Sequence, residues 1–110
     1  MGKTELVKGS TEVILLSLLS QRDMYGYELA QRIEADSEGY LQLGEGTLYP
    51  ALKRLELQGY VESYWQSSEA GPRRKYYAIT ESGRSALAAM TEEWNRFERI
   101  MRRLTGYVRT

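Results

Sequence analysis

The chain has 110 residues, 42% of them hydrophobic, which is enough for one modest core and too little for two. It has no cysteine and no histidine, which removes disulfides, thiolate sites, cysteine nucleophiles and the commonest general base and metal ligand, so the sequence predicts no enzyme, no metal and no other cofactor. The formal net charge is zero, but its parts are unequal: residues 1–45 carry four Lys/Arg against eight Asp/Glu, residues 46–79 five against three, and residues 80–110 six against four.

Positive charge is thus gathered in the middle and at the end of the chain, and a local basic surface is what phosphate binding requires, whatever the overall balance. The opening "MGKTELVKGS" lacks the apolar core of a signal peptide. The longest apolar run, Val13 to Leu19, is interrupted by Ser17 and far too short for a membrane span. The expectation is a cytoplasmic protein with no membrane partner.

Ser10 and Thr11 are good cap residues ahead of "EVILLSLL", so the first helix is predicted over about residues 11–20, with Val13, Leu16, Leu18 and Leu19 turned inward. A turn around Gln21 to Met24 leads into "YGYELAQRIEADS", where Leu29, Ala30 and Ile33 keep helical spacing beside a polar face of Glu28, Gln31, Arg32 and Glu34. This second helix is expected to end near Gly39. "YLQL", Tyr40 to Leu43, alternates briefly and reads as a very short strand.

In "GTLYPALKRLELQGYV" Leu48, Ala51, Leu52 and Leu55 form the apolar stripe of a third helix, and Gly59 is placed to close it. Pro50 is tolerable in a first turn, which puts the start near Gly46 or Thr47. Thr47, Tyr49, Lys53 and Arg54 then share the opposite face. "YVESYWQ" and "RKYYAI" are rich in aromatic and β-branched residues and flank "SSEAGP", the pattern of a β-hairpin. Its second strand starts with Arg73, Arg74 and Lys75, and alternation sets Tyr77 and Ile79 on one side and Tyr76 on the other.

Thr80 can cap a last helix beginning at Glu81. Leu87, Met90, Trp94, Phe97, Met101 and Leu104 follow at alternating steps of three and four, a heptad seam. A lone surface helix shows a wider stripe, so this seam predicts pairing with a second long helix, and the same helix of another copy supplies one. Residues from Thr105 to Thr110 are expected to fray.

Three helices, a hairpin with a basic edge and a dimerising helix give the fold expectation: α+β, mainly α, a winged helix-turn-helix over residues 1–79 with a C-terminal dimerisation helix over 80–110, the whole one compact unit. In that architecture the third helix enters the major groove and the wing lies along the backbone. Lys53 and Arg54 are then placed for phosphates or guanine edges, and Thr47 and Tyr49 for phosphates. A solvated helix face and ordinary protection of a strand edge would also account for these cations one by one.

The quoted third-helix segment, followed by "GPRRKYYAITESGRSAL" and preceded by "YGYEL" at Tyr25 to Leu29, resembles the signature of the PadR family of bacterial transcriptional regulators over roughly residues 9–104. The resemblance implies a dimeric repressor of an inverted-repeat operator in double-stranded DNA. Carried over by position, it assigns DNA contact to Tyr25, Tyr49, Lys53, Arg54, Arg73, Arg74 and Lys75, beside Thr47 from its place on the third helix. Tyr60 departs from the leucine usual after the glycine. The short chain and "EEWNRFERI" are similar to the compact, LmrR-like branch, whose multidrug binding implies a ligand site at Met90, Trp94 and Phe97.

Two readings of Trp94 stand side by side: it fills the dimer seam, or two copies stack on a planar aromatic effector. For the chain as a whole, the competing class is a winged-helix protein-interaction module or dimeric scaffold that binds no DNA.

Overall fold

Leucines at three-and-four spacing in the first half of the chain turn toward a common centre. The computed structural model describes the backbone of residues 3–106 and the side chains of residues 10–106. In chain order the elements are α1 (Lys3–Leu19), β1 (Met24–Tyr25), α2 (Gly26–Asp36), α3 (Glu45–Leu57), β2 (Val61–Ser68), β3 (Gly71–Ile79) and α4 (Glu81–Thr105). Leu15, Leu16 and Leu19 of α1, Leu29 and Ile33 of α2, and Leu48, Ala51, Leu52 and Leu55 of α3 meet Met24, Val61 and Tyr77 in one core. Each fully buried leucine there stabilises the fold by roughly 1.5–3 kcal/mol.

The three strands form an antiparallel sheet in the order β1-β3-β2. β1 is only Met24 and Tyr25, paired with Tyr77 and Tyr76. It fastens the hairpin to the residues that open α2. The hairpin turns at Glu69 and Ala70, tighter than the predicted loop, because β2 runs on to Ser68 and β3 starts at Gly71, with the register slipping between Gln66 and Ser68. Tyr77 is buried and Tyr76 lies on the other side, as alternation predicts.

Three sequence expectations need correction. The first helix starts at Lys3, not Thr11: Ser10 and Thr11 lie within α1, so they do not cap it. "YLQL" is not a strand; Leu43 is buried and Tyr40 and Gln42 are exposed, but the segment has no ladder partner, so the alternation records which side faces inward and nothing more. Pro50 sits in the second turn of α3, since Gly44 takes the N-cap position and the Leu48 N–H closes the first α-turn on its carbonyl at 2.9 Å. The proline removes the donor that would meet the Gly46 carbonyl, and that end of the helix is exposed to water.

Helix ends are set by left-handed residues. Gly59, at φ 79°, donates to Glu56 O at 3.0 Å while Tyr60 donates to Leu55 O at 2.9 Å, which ends α3 as a Schellman turn. The same pair of bonds ends α2, Glu38 to Ala35 O and Gly39 to Glu34 O, but there the left-handed position is held by Glu38 at φ 54°.

Thr80 caps α4 as predicted, its Oγ1 accepting from the Gly83 N–H at 3.0 Å. The same hydroxyl donates to Gly59 O at 2.7 Å, Ser82 Oγ donates to Gly59 O at 2.9 Å, and the Thr80 N–H donates to Tyr60 O at 3.0 Å. Tyr60 packs partly buried against the core.

The first turns of α4 lie along α1, with Leu87 and Met90 partly buried against the core. From Thr91 to Gly106 every residue is exposed. α4 continues through Thr105 and is closed by Gly106 at φ 78°, so the fraying expected at Thr105 is not seen; residues 107–110 lie outside the described residues. Among the described residues no helix is long and apolar enough to cross a membrane.

Candidate nucleic-acid interface

One face of α3 and the wing lie opposite one another across an open cleft of about 610 Å³. Tyr25, Gly26 and Tyr27 line it from the start of α2, Tyr49, Lys53 and Glu56 from α3, and Trp65, Arg74, Lys75 and Tyr77 from the wing. Five residues that the sequence assigned to DNA contact, Tyr25, Tyr49, Lys53, Arg74 and Lys75, are therefore brought together from three separate elements.

The other three are placed differently. Thr47 is exposed in the first turn of α3, outside the cleft. That turn starts from Gly44, which has no side chain to cap it, and carries the Glu45 carboxylate, which offsets the positive end of the helix. Arg54 turns toward α1, where its Nε lies 3.7 Å from Glu12 Oε1. Arg73 lies further out on the wing, with its guanidinium carbon 5.3 Å from the centre of the Trp65 ring.

All three wing cations rest on aromatic rings. Arg74 lies 4.6 Å above Tyr25 and Lys75 Nζ 5.8 Å from Tyr77, beside the Arg73–Trp65 pair. Such contacts are worth about 0.5–1 kcal/mol at exposed sites, enough to restrict long side chains without neutralising them. Among the described residues neither these three nor Lys53 enters an ion pair, so their charge is available to a ligand.

At the floor of the cleft Ser63 Oγ donates to Glu56 Oε2 at 2.7 Å. Burial, and then the charges of Glu56 and Tyr49, push the Tyr77 phenol up from its ordinary pKa and keep it protonated. Gly26 is where the chain permits closest approach: the Tyr49 ring lies so near that an added Cβ would come within 2.7 Å of its Cε1 and Cζ. Any side chain at position 26 would push the Tyr49 ring aside.

Behind the cleft the wing is braced by tyrosines. Tyr76 stacks on Tyr64 with centroids 5.8 Å apart and meets Tyr25 edge-on at 5.4 Å. The Tyr64 hydroxyl donates to Asp23 Oδ2 at 2.6 Å. At the entry to α2 the Tyr25 N–H donates to Glu28 Oε1 at 3.4 Å, and Glu28 pairs with Arg22 at 2.9 Å.

Trp65, Gly26 and the Asp23–Tyr64 pair join the site without being among the residues expected from the sequence. Trp65 had a signal: it stands an even number of strand positions from the buried Val61. The Asp23–Tyr64 pair, 41 residues apart, had none.

On α4 the six seam residues share a side, but Leu87 and Met90 are spent partly on the core, and Trp94, Phe97, Met101 and Leu104 are exposed. Ile100, three residues beyond Phe97, joins the stripe and was missed because a strict heptad leaves it out. The Trp94 and Phe97 rings lie 6.1 Å apart, tilted by 39°.

The family model described as the transcriptional regulator PadR-like family matches residues 15–89. An uncharacterized protein of Lysinibacillus sphaericus is 34% identical over 101 residues, 92% of this chain and 93% of that protein. Transcriptional regulator Rv3488 of Mycobacterium tuberculosis is 32% identical over 102 residues, 93% of this chain and 89% of its own length. The solved structure of a transcriptional regulator from Clostridium thermocellum matches with a TM-score of 0.83 at 34% identity, covering 90% of this chain and 96% of that one. These matches take in α3, the hairpin and the first turns of α4 together, so the chain belongs to the PadR family of transcriptional regulators.

Proposed function

We propose that the protein is a homodimeric repressor that binds an inverted-repeat operator through α3 and the wing and silences a promoter by occluding it. PadR-type regulators bind DNA; the observation that carries the reading here is the α3–wing cleft, where Lys53, Arg74 and Lys75 converge beside a single lining carboxylate, Glu56, and among the described residues enter no ion pair. Residues 1–79 act as the reading head and 80–110 as the dimerisation helix. Two heads joined by α4 then enter successive major grooves about 34–36 Å apart. Tyr25, Thr47, Tyr49 and Arg54 add contacts around the four cations.

The exposed stripe of Trp94, Phe97, Met101 and Leu104, continuous with Leu87 and Met90, supports pairing of α4 with its copy. Two Trp94 rings across the two-fold axis, with Phe97 and Met90 beside them, form a flat slot for a planar aromatic effector. Such a ligand regulates by fitting one relative orientation of the two heads better than another. In Trp94→Ala, loss of aromatic-ligand binding with the dimer retained supports the slot; loss of the dimer alone supports a purely structural seam.

The deciding experiment is titration of a duplex from the region upstream of its own gene at several salt concentrations. If Lys53, Arg73, Arg74 and Lys75 of both protomers each neutralise one phosphate, log K falls against log salt with a slope on the order of −7. No salt-sensitive binding to any duplex would overturn the repressor reading in favour of a protein-interaction module.

A further inference from the structure

Trp65 is 57% exposed on β2, and its side chain lines the α3–wing cleft among cations. An exposed apolar side chain is ordinary in itself; the surroundings of this one are not. Its partner across the ladder is Lys75, Arg73 lies over its ring at 5.3 Å, and Lys53 lines the same cleft from α3. The wall presented to a ligand is therefore a large flat apolar surface set between positive charges.

A DNA strand presents the matching pattern. Phosphates recur once per nucleotide, and between them each deoxyribose offers a patch of C–H groups with no charge. Lysines alone would follow the phosphates and leave the sugars in water, whereas an indole in register with Lys75 can cover one.

We propose that Trp65 is a DNA-contacting residue, its indole packed against a deoxyribose of the strand whose flanking phosphates are held by Lys53 and Lys75. Arg73, 5.3 Å from the ring centre, restricts the indole, so the contact is made by a side chain already ordered. This rests on the reading of the cleft as the DNA site. It adds an uncharged contact that neither the basic residues nor the heptad seam supplies, and it is made with the backbone, so it favours duplex over no particular sequence.

The test uses full-length protein labelled with 5-fluorotryptophan at both tryptophans, with the Trp65 resonance identified by its absence in Trp65→Phe. Saturating duplex DNA is expected to shift the Trp65 fluorine signal. Trp65→Ala is expected to bind duplex on the order of tenfold more weakly, with a melting temperature lowered by no more than a few degrees and an unchanged salt slope, because an indole neutralises no phosphate. Lys75→Ala, by contrast, makes the slope shallower by roughly one per protomer.

Wild-type affinity in Trp65→Ala, or a fluorine signal indifferent to bound duplex, overturns the proposal while steep salt dependence of the wild type keeps the DNA reading. A slope that becomes shallower in Trp65→Ala means that the ring only orders Arg73, and also overturns it. Single-stranded DNA bound more tightly than duplex would assign the indole to base stacking instead. Absence of any salt-sensitive DNA binding by the wild type is the separate result that removes the underlying reading.

Discussion

The Tyr64 hydroxyl, on the wing, donates a 2.6 Å hydrogen bond to the carboxylate of Asp23, in the turn between α1 and α2. That bond, followed by desolvation and the nearby Asp23 charge, pushes the Tyr64 phenol up to about 12. The folded state thus favours the protonated phenol. Its contribution to stability is complete below the ordinary phenol value of 10.0 and is lost as pH rises through about 12. In NMR of ring-labelled tyrosine, the Tyr64 resonance should titrate near 12, and in Asp23→Asn it should move back toward 10.0.

Lys53 and Arg54 are neighbours in sequence but face different partners, the cleft and Glu12. Lys53→Ala should make the salt slope of DNA binding shallower by roughly one per protomer. Arg54→Ala should change it less, since part of that charge is already answered. An exposed pair such as Arg54–Glu12 contributes only about 0–1 kcal/mol, so both variants should melt close to the wild type. Anisotropy titrations over a salt series, with thermal melts alongside, check both.

Two glycines should respond in opposite ways. At Gly26 an added methyl meets the far end of the Tyr49 side chain, which can swing away. Gly26→Ala should therefore keep its stability and lose the phosphate hydrogen bond proposed for Tyr49, about 1 kcal/mol or roughly fivefold in affinity per site. At Gly83 the methyl would collide with the Tyr60 carbonyl oxygen and lie 2.8 Å from Ile79 Cγ1. Backbone cannot yield so easily, and Gly83→Ala should lose about 1–3 kcal/mol in urea unfolding.

Glu38 occupies a left-handed position that ends α2, at φ 54°. A side chain there costs about 1 kcal/mol or more, partly offset by the entropy that glycine would lose on folding. Glu38→Gly should raise the unfolding free energy by about 0.5–1 kcal/mol, with DNA affinity unchanged because Glu38 lies outside the α3–wing cleft. Chemical denaturation paired with a binding titration tests it.

Ile100 lies on the exposed stripe of α4 although the heptad omits it. If α4 pairs with its copy as proposed, Ile100→Glu should weaken the dimer on the order of a hundredfold, because a carboxylate from each protomer would be carried into the apolar stripe. Sedimentation equilibrium reads the effect directly, and circular dichroism should show each protomer still helical.

The parts legible in the sequence were those whose periodicity repeats over several turns. Leu48, Ala51, Leu52 and Leu55 announced α3, and all four are buried. The seam from Leu87 to Leu104 announced α4, and Thr80 its cap. What escaped was set by tertiary contact: β1 is two residues long and exists because β3 lies beside it. Leu41 and Leu43 alternate like a strand without a partner to make one. The cations of the cleft were visible, but the diversion of Arg54 toward Glu12 depends on how α1 crosses α3, and no local pattern records it.

The joint at Gly59, Tyr60, Thr80, Ser82 and Gly83 binds the exit of α3, the entry of β2 and the first turn of α4 by three hydrogen bonds and one glycine contact. There is no slack at that corner. A twist applied along the outer half of α4 is delivered to the base of α3 as through a welded crank, so a change in how two such helices splay would re-aim both heads at once rather than bend a neck between them.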